Sequence, residues 1–234
     1  YTVNCRQQRY ELFLSSNPDT RFQIFPNITN HRGVIYQVDQ PPFDDLRVRQ
    51  AASMSFDRAG WINSIMGGWG IPTGPIMPGA ADFWLPADEL YGEYGYLLEH
   101  HPDRAKKLMD EAGYGSGVDV VFHSTDTGGT AWVQEGQLSS EFFTSVGIRT
   151  EYKLVERATF NSLFAEGKIQ IRYAYPGWGY QPEDWVVKPF NSEYVGAYGL
   201  RSGIKDPKID EITYDLEREF DFAERVRLTR AAAK

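Results

Sequence analysis

The residues best equipped for chemistry lie between positions 173 and 185. Tyr173, Tyr175, Trp178, Tyr180 and Trp185 frame the amide of Gln181 and the carboxylates of Glu183 and Asp184. Rigid aromatic rings set among turn glycines make walls for an enclosed solute, and the polar groups orient it. Alternation along the preceding strand makes one of its faces the core, where Tyr173 or Tyr175 is expected to pack, while Trp178 is expected to face a cleft. Trp69, in a second glycine- and aromatic-rich stretch, is a further candidate wall. The acids are poorly placed for catalysis. Glycoside hydrolysis needs two carboxylates roughly 5 to 10 Å apart across the sugar, and Glu183 and Asp184 are adjacent in sequence. The pattern favours binding over turnover.

Other chemistry finds little support. Of the four histidines, His100 and His101 are neighbours before Pro102 and serve a turn. His31 and His123 have no companion at metal-ligand spacing. The single cysteine, Cys5, reads as a free thiol. No Gly-x-Ser-x-Gly nucleophile turn occurs. Gly67-Gly68 and Gly128-Gly129 fit neither dinucleotide nor phosphate-loop patterns, and Gly128-Gly129 reads as a turn before a helix. No metal, cofactor or catalytic group is expected.

The 24 Lys and Arg against 32 Asp and Glu give a formal charge of -8, which argues against a nucleic-acid footprint. With 41% apolar and 15% aromatic residues the 234-residue chain can bury a substantial core. No window approaches 18 uninterrupted apolar residues, so no transmembrane helix is expected. Neither a signal peptide nor a natural start opens the chain at Tyr1.

These candidates need elements to position them. Residues 1–40 read as short strands and turns, with an apolar run at 10–14 and a strand at 34–38. Pro41-Pro42 precedes Asp44 and Asp45, either of which can cap the next helix, and Gly60 marks a joint before a short helix over 61–66. Residues 67–96 read as a long ordered loop. Pro102 then opens a helix whose buried stripe is Ala105, Leu108, Met109 and Ala112, ended by Gly113. Beyond it, strand 118–122, helix 131–146, strand 148–154, helix 160–164 and strand 169–175 form an α/β unit with right-handed crossovers. Ligands of open sheets bind beyond the carboxyl ends of strands, which is where 176–185 falls. Asp206-Pro207 starts another helix, and Asp221 with Glu224 resembles a capping box opening the last.

One stretch is more specific than its elements. Pro42-Phe43-Asp44-Asp45-Leu46-Arg47-Val48-Arg49-Gln50-Ala51, with Phe56-Asp57-Arg58, resembles the signature of the family 5 extracellular solute-binding proteins. The resemblance continues through Gly70-Ile71-Pro72, Gly74 to Pro78, the 102–108 helix, Glu111 to Tyr114, Val146-Gly147-Ile148 and Asp206 to Asp210, covering roughly residues 34–230. It implies the second lobe of a two-lobed, periplasmic-type α/β clamshell with a mixed sheet, the first lobe being absent. On this reading 1–234 is one lobe: entry strands to 40, a core over 41–200 and C-terminal helices over 201–234.

The resemblance further implies a monomeric, non-catalytic receptor outside the cytoplasm that passes a small solute to the permease of an ABC importer. A sensor receptor uncoupled from transport is the alternative. Peptide-binding members place an aspartate a few residues beyond Gly-Trp, where it pairs with the peptide's α-amino group. Here that position holds Gln181, which cannot neutralise an ammonium; Glu183 or Asp184 substitutes only after a shift of two or three residues. The solute expected is a peptide or, given the glutamine, a neutral stacking molecule such as a saccharide. Asp45, Arg47, Arg49 and Asp57 are implied to serve the fold, with Arg49 pairing a local acid and Asp57 fixing a helix end.

Overall fold

The computed structural model describes residues 7–21, 32–125, 127, 129–174, 181–193 and 203–234. At its centre is a four-stranded mixed sheet in the order β1-β4-β2-β3, made of β1 (Gly33–Tyr36), β2 (Val118–Thr125), β3 (Ile148–Val155) and β4 (Ile171–Ala174). β2 runs parallel to β3 and to β4, and β1 closes the edge antiparallel to β4. Helices α6 (Gly129–Thr144) and α7 (Arg157–Ala165) make the crossovers. The α/β unit is the one that the alternating pattern predicts, and the whole is a mixed α/β lobe with flanking helices.

One face of the sheet builds the main core. Val120, Phe122, Ile148, Ile171 and Tyr173 meet Phe143 of α6 and Val48, Ala51, Ala52 and Met54 of α2 (Leu46–Ser55). Trp61 of α3 (Arg58–Met66) and Ala105 and Met109 of α5 (Pro102–Glu111) complete it. Gly113, at φ 87°, ends α5 in the left-handed region that glycine adopts without a Cβ penalty. A second core joins Ile76, Met77 and Phe83 to α8 (Asp184–Phe190), α9 (Pro207–Leu216) and α10 (Phe222–Ala233). Arg230 fastens that assembly by donating to the carbonyls of Asp82 (2.7 Å) and Trp84 (3.3 Å).

The stretch from Phe43 to Arg58 is scaffold. Phe43 is buried and stacks on Tyr36 at 4.8 Å. Asp45 caps α2, accepting from the Arg47 amide at 2.8 Å, and pairs with the Arg47 guanidinium at 2.6 Å. Arg47 also donates to the Glu111 carbonyl (2.6 Å), joining the start of α2 to the end of α5. Arg49 departs from expectation: it donates to the carbonyls of Phe43 (2.6 Å) and Asp44 (3.0 Å), not to an acid. The turn before α2 leaves those carbonyls without helical partners, and a five-donor guanidinium suits them. Arg58 likewise binds the Ser53 and Leu98 carbonyls at 3.0 and 3.1 Å.

Three local expectations are corrected. The run at 10–14 belongs to a helix, α1 (Gln7–Ser16), because a short apolar run has no period of its own. Ser15, Ser16 and Asn17 return side-chain hydrogen bonds to the carbonyls of Leu12 and Phe13 at its end. The joint between α2 and α3 falls at Phe56-Asp57, not at Gly60. Asp57 accepts from the Gly60 amide at 2.8 Å, as the expected helix-end fixer, and a Cβ on Gly60 would collide with that carboxylate. Residues 67–96 are also more regular than a loop. They contain a 3₁₀ turn at Pro78–Phe83, the short helix α4 (Ala87–Tyr91) and a second 3₁₀ stretch beginning at Gly92.

The C-terminal helices start as their caps predict. Asp206 accepts from the Lys208 amide and Asp221 from that of Glu224, both at 2.9 Å. The return arm of the capping box is supplied by Glu219, which accepts from the Asp221 amide at 2.8 Å; Glu224 pairs with Arg227 instead. Among the described residues no helix is long and apolar enough to cross a membrane.

Candidate functional site

Of the candidate residues, Tyr175, Trp178 and Tyr180 lie outside the described residues. Gln181, Glu183 and Asp184 come together with Arg218 and Arg225 around an open hollow of about 540 Å³ at the start of α8. Glu183 is only 8% exposed and its charge is engaged: Arg225 holds it through Nη2 at 2.7 Å and Nε at 2.9 Å. Arg225 in turn donates to the Glu219 carbonyl at 2.7 Å, so the pair anchors α8 to the turn before α10. Gln181 is exposed at the rim. Trp185 stands behind the hollow, 2% exposed in the second core, because its place on α8 faces Leu216 and Leu228. Trp69 is elsewhere, half-buried with its ring 5.0 Å from that of Tyr10.

Tyr173 packs into the core, as expected of Tyr173 or Tyr175. It is 1% exposed, and its hydroxyl donates to Glu135 Oε2 at 2.8 Å. Glu135, on α6, is fully buried and also accepts from Arg32, just before β1. Trp132, one turn earlier on α6, meets the Tyr173 ring edge-on at 5.8 Å. These contacts join α6, the entry to β1 and the penultimate residue of β4, directly before the 175–180 segment. Sequence reading passed over Glu135, although it stands three residues from both Trp132 and Leu138 and so falls on the helix's apolar stripe.

The carboxyl edge of the neighbouring strand is polar. Thr125, the last residue of β2, shares a 2.9 Å hydrogen bond with the hydroxyl of Thr127, which also accepts from Arg157 at 3.2 Å. This edge offers hydroxyls and a guanidinium. Such groups orient a solute. Among the described residues no group of three or more His, Cys, Asp and Glu side chains could hold a metal.

His123 of β2 is buried to 6% exposure. Burial, then the Lys153 ammonium, pushes its imidazole below the ordinary value, against weaker opposition from Glu151 and the Val121 backbone. The folded state therefore binds a proton less readily than the unfolded chain. Stability from this group is fully present above the unfolded value near 6.5 and is lost as pH falls from there toward the folded value. Urea unfolding from pH 7.5 to 5 should show this loss, and His123→Gln should flatten it. An unchanged slope in the variant would contradict the assignment.

Comparison with known proteins agrees with this architecture. Residues 8–198 match the family model described as bacterial extracellular solute-binding proteins, family 5 Middle. The glutathione-binding protein GsiB of Escherichia coli (strain K12) is 25% identical over a 228-residue alignment that covers 94% of this chain and 42% of that protein. The chain thus spans about two fifths of the length of the curated relatives it matches. A dipeptide binding protein from Pseudoalteromonas sp. SM9913, solved in complex with Met-Leu, superposes with a TM-score of 0.79 at 18% identity, covering 97% of this chain and 44% of that one. The mannohexaose-bound periplasmic oligopeptide-binding protein of Thermotoga maritima gives 0.74 at 17%, covering 89% and 42%. These two likenesses are of fold. The family match spans most of the sequence, and the chain belongs to the family 5 bacterial extracellular solute-binding proteins.

Proposed function

We propose that this chain is the solute-contacting lobe of an extracytoplasmic receptor that delivers a small molecule to an ABC-type importer. The observation that carries the reading is positional. The aromatic and polar segment 173–185 follows the carboxyl end of β4, in a sheet whose parallel strands end on the polar Thr125–Thr127–Arg157 edge. Glu135 and Tyr173 fix the start of that segment and the Glu183–Arg225 pair fixes its end. Trp178, Tyr180, Tyr175 and Gln181 are the proposed contacts, with Asp184 at the rim. Trp185 and Glu183 support them from behind, and Trp69 is a more distant wall. Solute held on this edge is enclosed by a facing lobe, which supplies most of its burial.

A specific observation favours a neutral solute over a free-amino peptide. Gln181 occupies the place where the peptide-binding pattern has an acid, and Glu183, a possible substitute, is already held by Arg225. An ammonium there would share its carboxylate with a guanidinium already in place. Solved proteins of this fold hold both ligand classes, one a dipeptide and another mannohexaose.

The test is a thermal-shift screen of the whole gene product carrying this chain against dipeptides, oligopeptides, nickel chelates and oligosaccharides. A solute at 100 times its Kd adds about 2.7 kcal/mol of stability, and an uncharged oligosaccharide is expected to respond. A free-amino peptide response that disappears in Asp184→Asn and survives in Gln181→Ala would overturn the neutral-solute reading. Silence toward every class would overturn the receptor reading itself.

A further inference from the structure

Three basic side chains stand in one row across the sheet. Arg172 of β4 lies directly opposite His123 of β2, and His123 directly opposite Lys153 of β3. Each is two residues from the carboxyl end of its strand. Residues in register project to the same face, and here it is the face away from Ile171, Tyr173 and the main core. Helix α7 covers it, with the Phe164 ring centroid 4.3 Å from the Arg172 guanidinium carbon. Lys153 is exposed and paired with Glu151 at 3.1 Å. Arg172 differs. It is 3% exposed, and among the described residues it has no hydrogen bond and no ion pair, with Nη2 fully buried. His123 Nδ1, beside it, is also buried and makes no well-formed hydrogen bond, although the Val121 backbone acts on the ring.

A buried arginine is almost always paired, because an uncompensated charge in the interior is strongly destabilising. Stacking on Phe164 satisfies one face of the guanidinium and leaves its in-plane donors unused. Burial accordingly pushes Arg172 down to about 9. The donors lie one pleat below the edge where solute is received, on the opposite side of the sheet from the Glu135–Tyr173 contact.

We propose that Arg172 and His123 form an anion-receiving site between the sheet and α7, with donors for a single carboxylate. A planar carboxylate matches the in-plane fork of a guanidinium, and His123 Nδ1–H supplies a second donor in the appropriate tautomer. The carboxylate arrives as a free ion or as part of an acidic solute. The site does not depend on which solute the proposed cleft takes.

Melting of the wild-type chain and of Arg172→Met, at equal ionic strength in chloride, acetate or an acidic dipeptide, tests this. Methionine keeps the contact with Phe164 and removes the donors. In acetate the wild type should melt about 2 to 4 °C higher than in chloride, the shift expected of a modest site in a chain of this size. Arg172→Met should melt no lower than the wild type in chloride and should lose the acetate response. A dipeptide effect exceeding that of acetate at the same molarity identifies a solute-borne carboxylate, and an equal effect a free ion; either supports the site. Equal acetate responses in wild type and variant, or none in the wild type, would overturn it. Should Arg172→Met not fold, the side-chain nitrogen resonances of Arg172 in the wild type decide: a shift with acetate supports the site, and invariance overturns it.

Discussion

Glu135→Leu is expected to destabilise the chain by about 3 to 5 kcal/mol, the cost of breaking a buried pair by removing one partner. Glu135 is fully buried and receives both the Tyr173 hydroxyl at 2.8 Å and the Arg32 guanidinium. Leucine fills the space but accepts no hydrogen bond. The Tyr173 hydroxyl is then left in the core beside Trp132, away from its carboxylate. Urea unfolding of wild type and variant measures the loss. Adding Tyr173→Phe should recover part of it, since removing both partners of a buried contact costs less than removing one. A loss below about 1 kcal/mol would show that the contact is not a structural anchor. The same change should weaken solute binding, because Tyr173 leads directly into the proposed contact segment. A destabilised variant with unaltered affinity would separate the two roles.

Phe143→Ala should cost a similar amount, about 3 to 5 kcal/mol, through the cavity it opens. Its ring is fully buried between helix α6 and the sheet, with the Phe122, Tyr36 and Phe56 rings centred at 6.1, 6.2 and 6.3 Å. These neighbours belong to β2, β1 and the α2–α3 joint, so none can collapse into the void without disturbing a different element. Phe142 is the internal control. It adjoins Phe143 on α6 but is only half-buried, its ring tilted against that of Phe56 at 4.9 Å, and its alanine variant should lose clearly less. Equal losses would mean that α6 is rotated relative to the sheet.

The elements with a strong period were legible before any coordinates. β3, α5 and α9 announce themselves through alternation, through Pro102 and Pro207, and through Asp206 as a cap, and β2 through its valine-rich run. α1 was not legible, because five residues of mixed apolar character fit a strand and a helix equally well. The α2–α3 joint was misplaced for a different reason. Glycine reads as a breaker, whereas Gly60 is the residue that lets the Asp57 cap close.

The site was legible in part. Composition located the aromatic segment, and strand alternation made one face of β4 the core, where Tyr173 is buried. The charged residues that matter were hidden by the assumption that charge faces water. Glu135 sits on an apolar helical stripe. Arg172 alternates with Ile171 and Tyr173 and so reads as solvent-facing, yet α7 covers that second face. Period two distinguishes the two sides of a strand; it does not say whether a crossover helix lies on both. Trp185 was drawn toward the solute by its neighbours in sequence, while the turn of α8 carries its ring into the second core.

The central claim is that segment 173–185 receives a solute. Calorimetric titration of the whole gene product with the solute found in the screen, for wild type and Trp178→Ala, tests it most directly. One solute should bind per protein, and Trp178→Ala should weaken binding at least about tenfold, equivalent to roughly 1.4 kcal/mol, while its melting temperature without solute stays near that of wild type. Saturable binding with the same affinity in both proteins would contradict the claim and place the solute elsewhere on the fold.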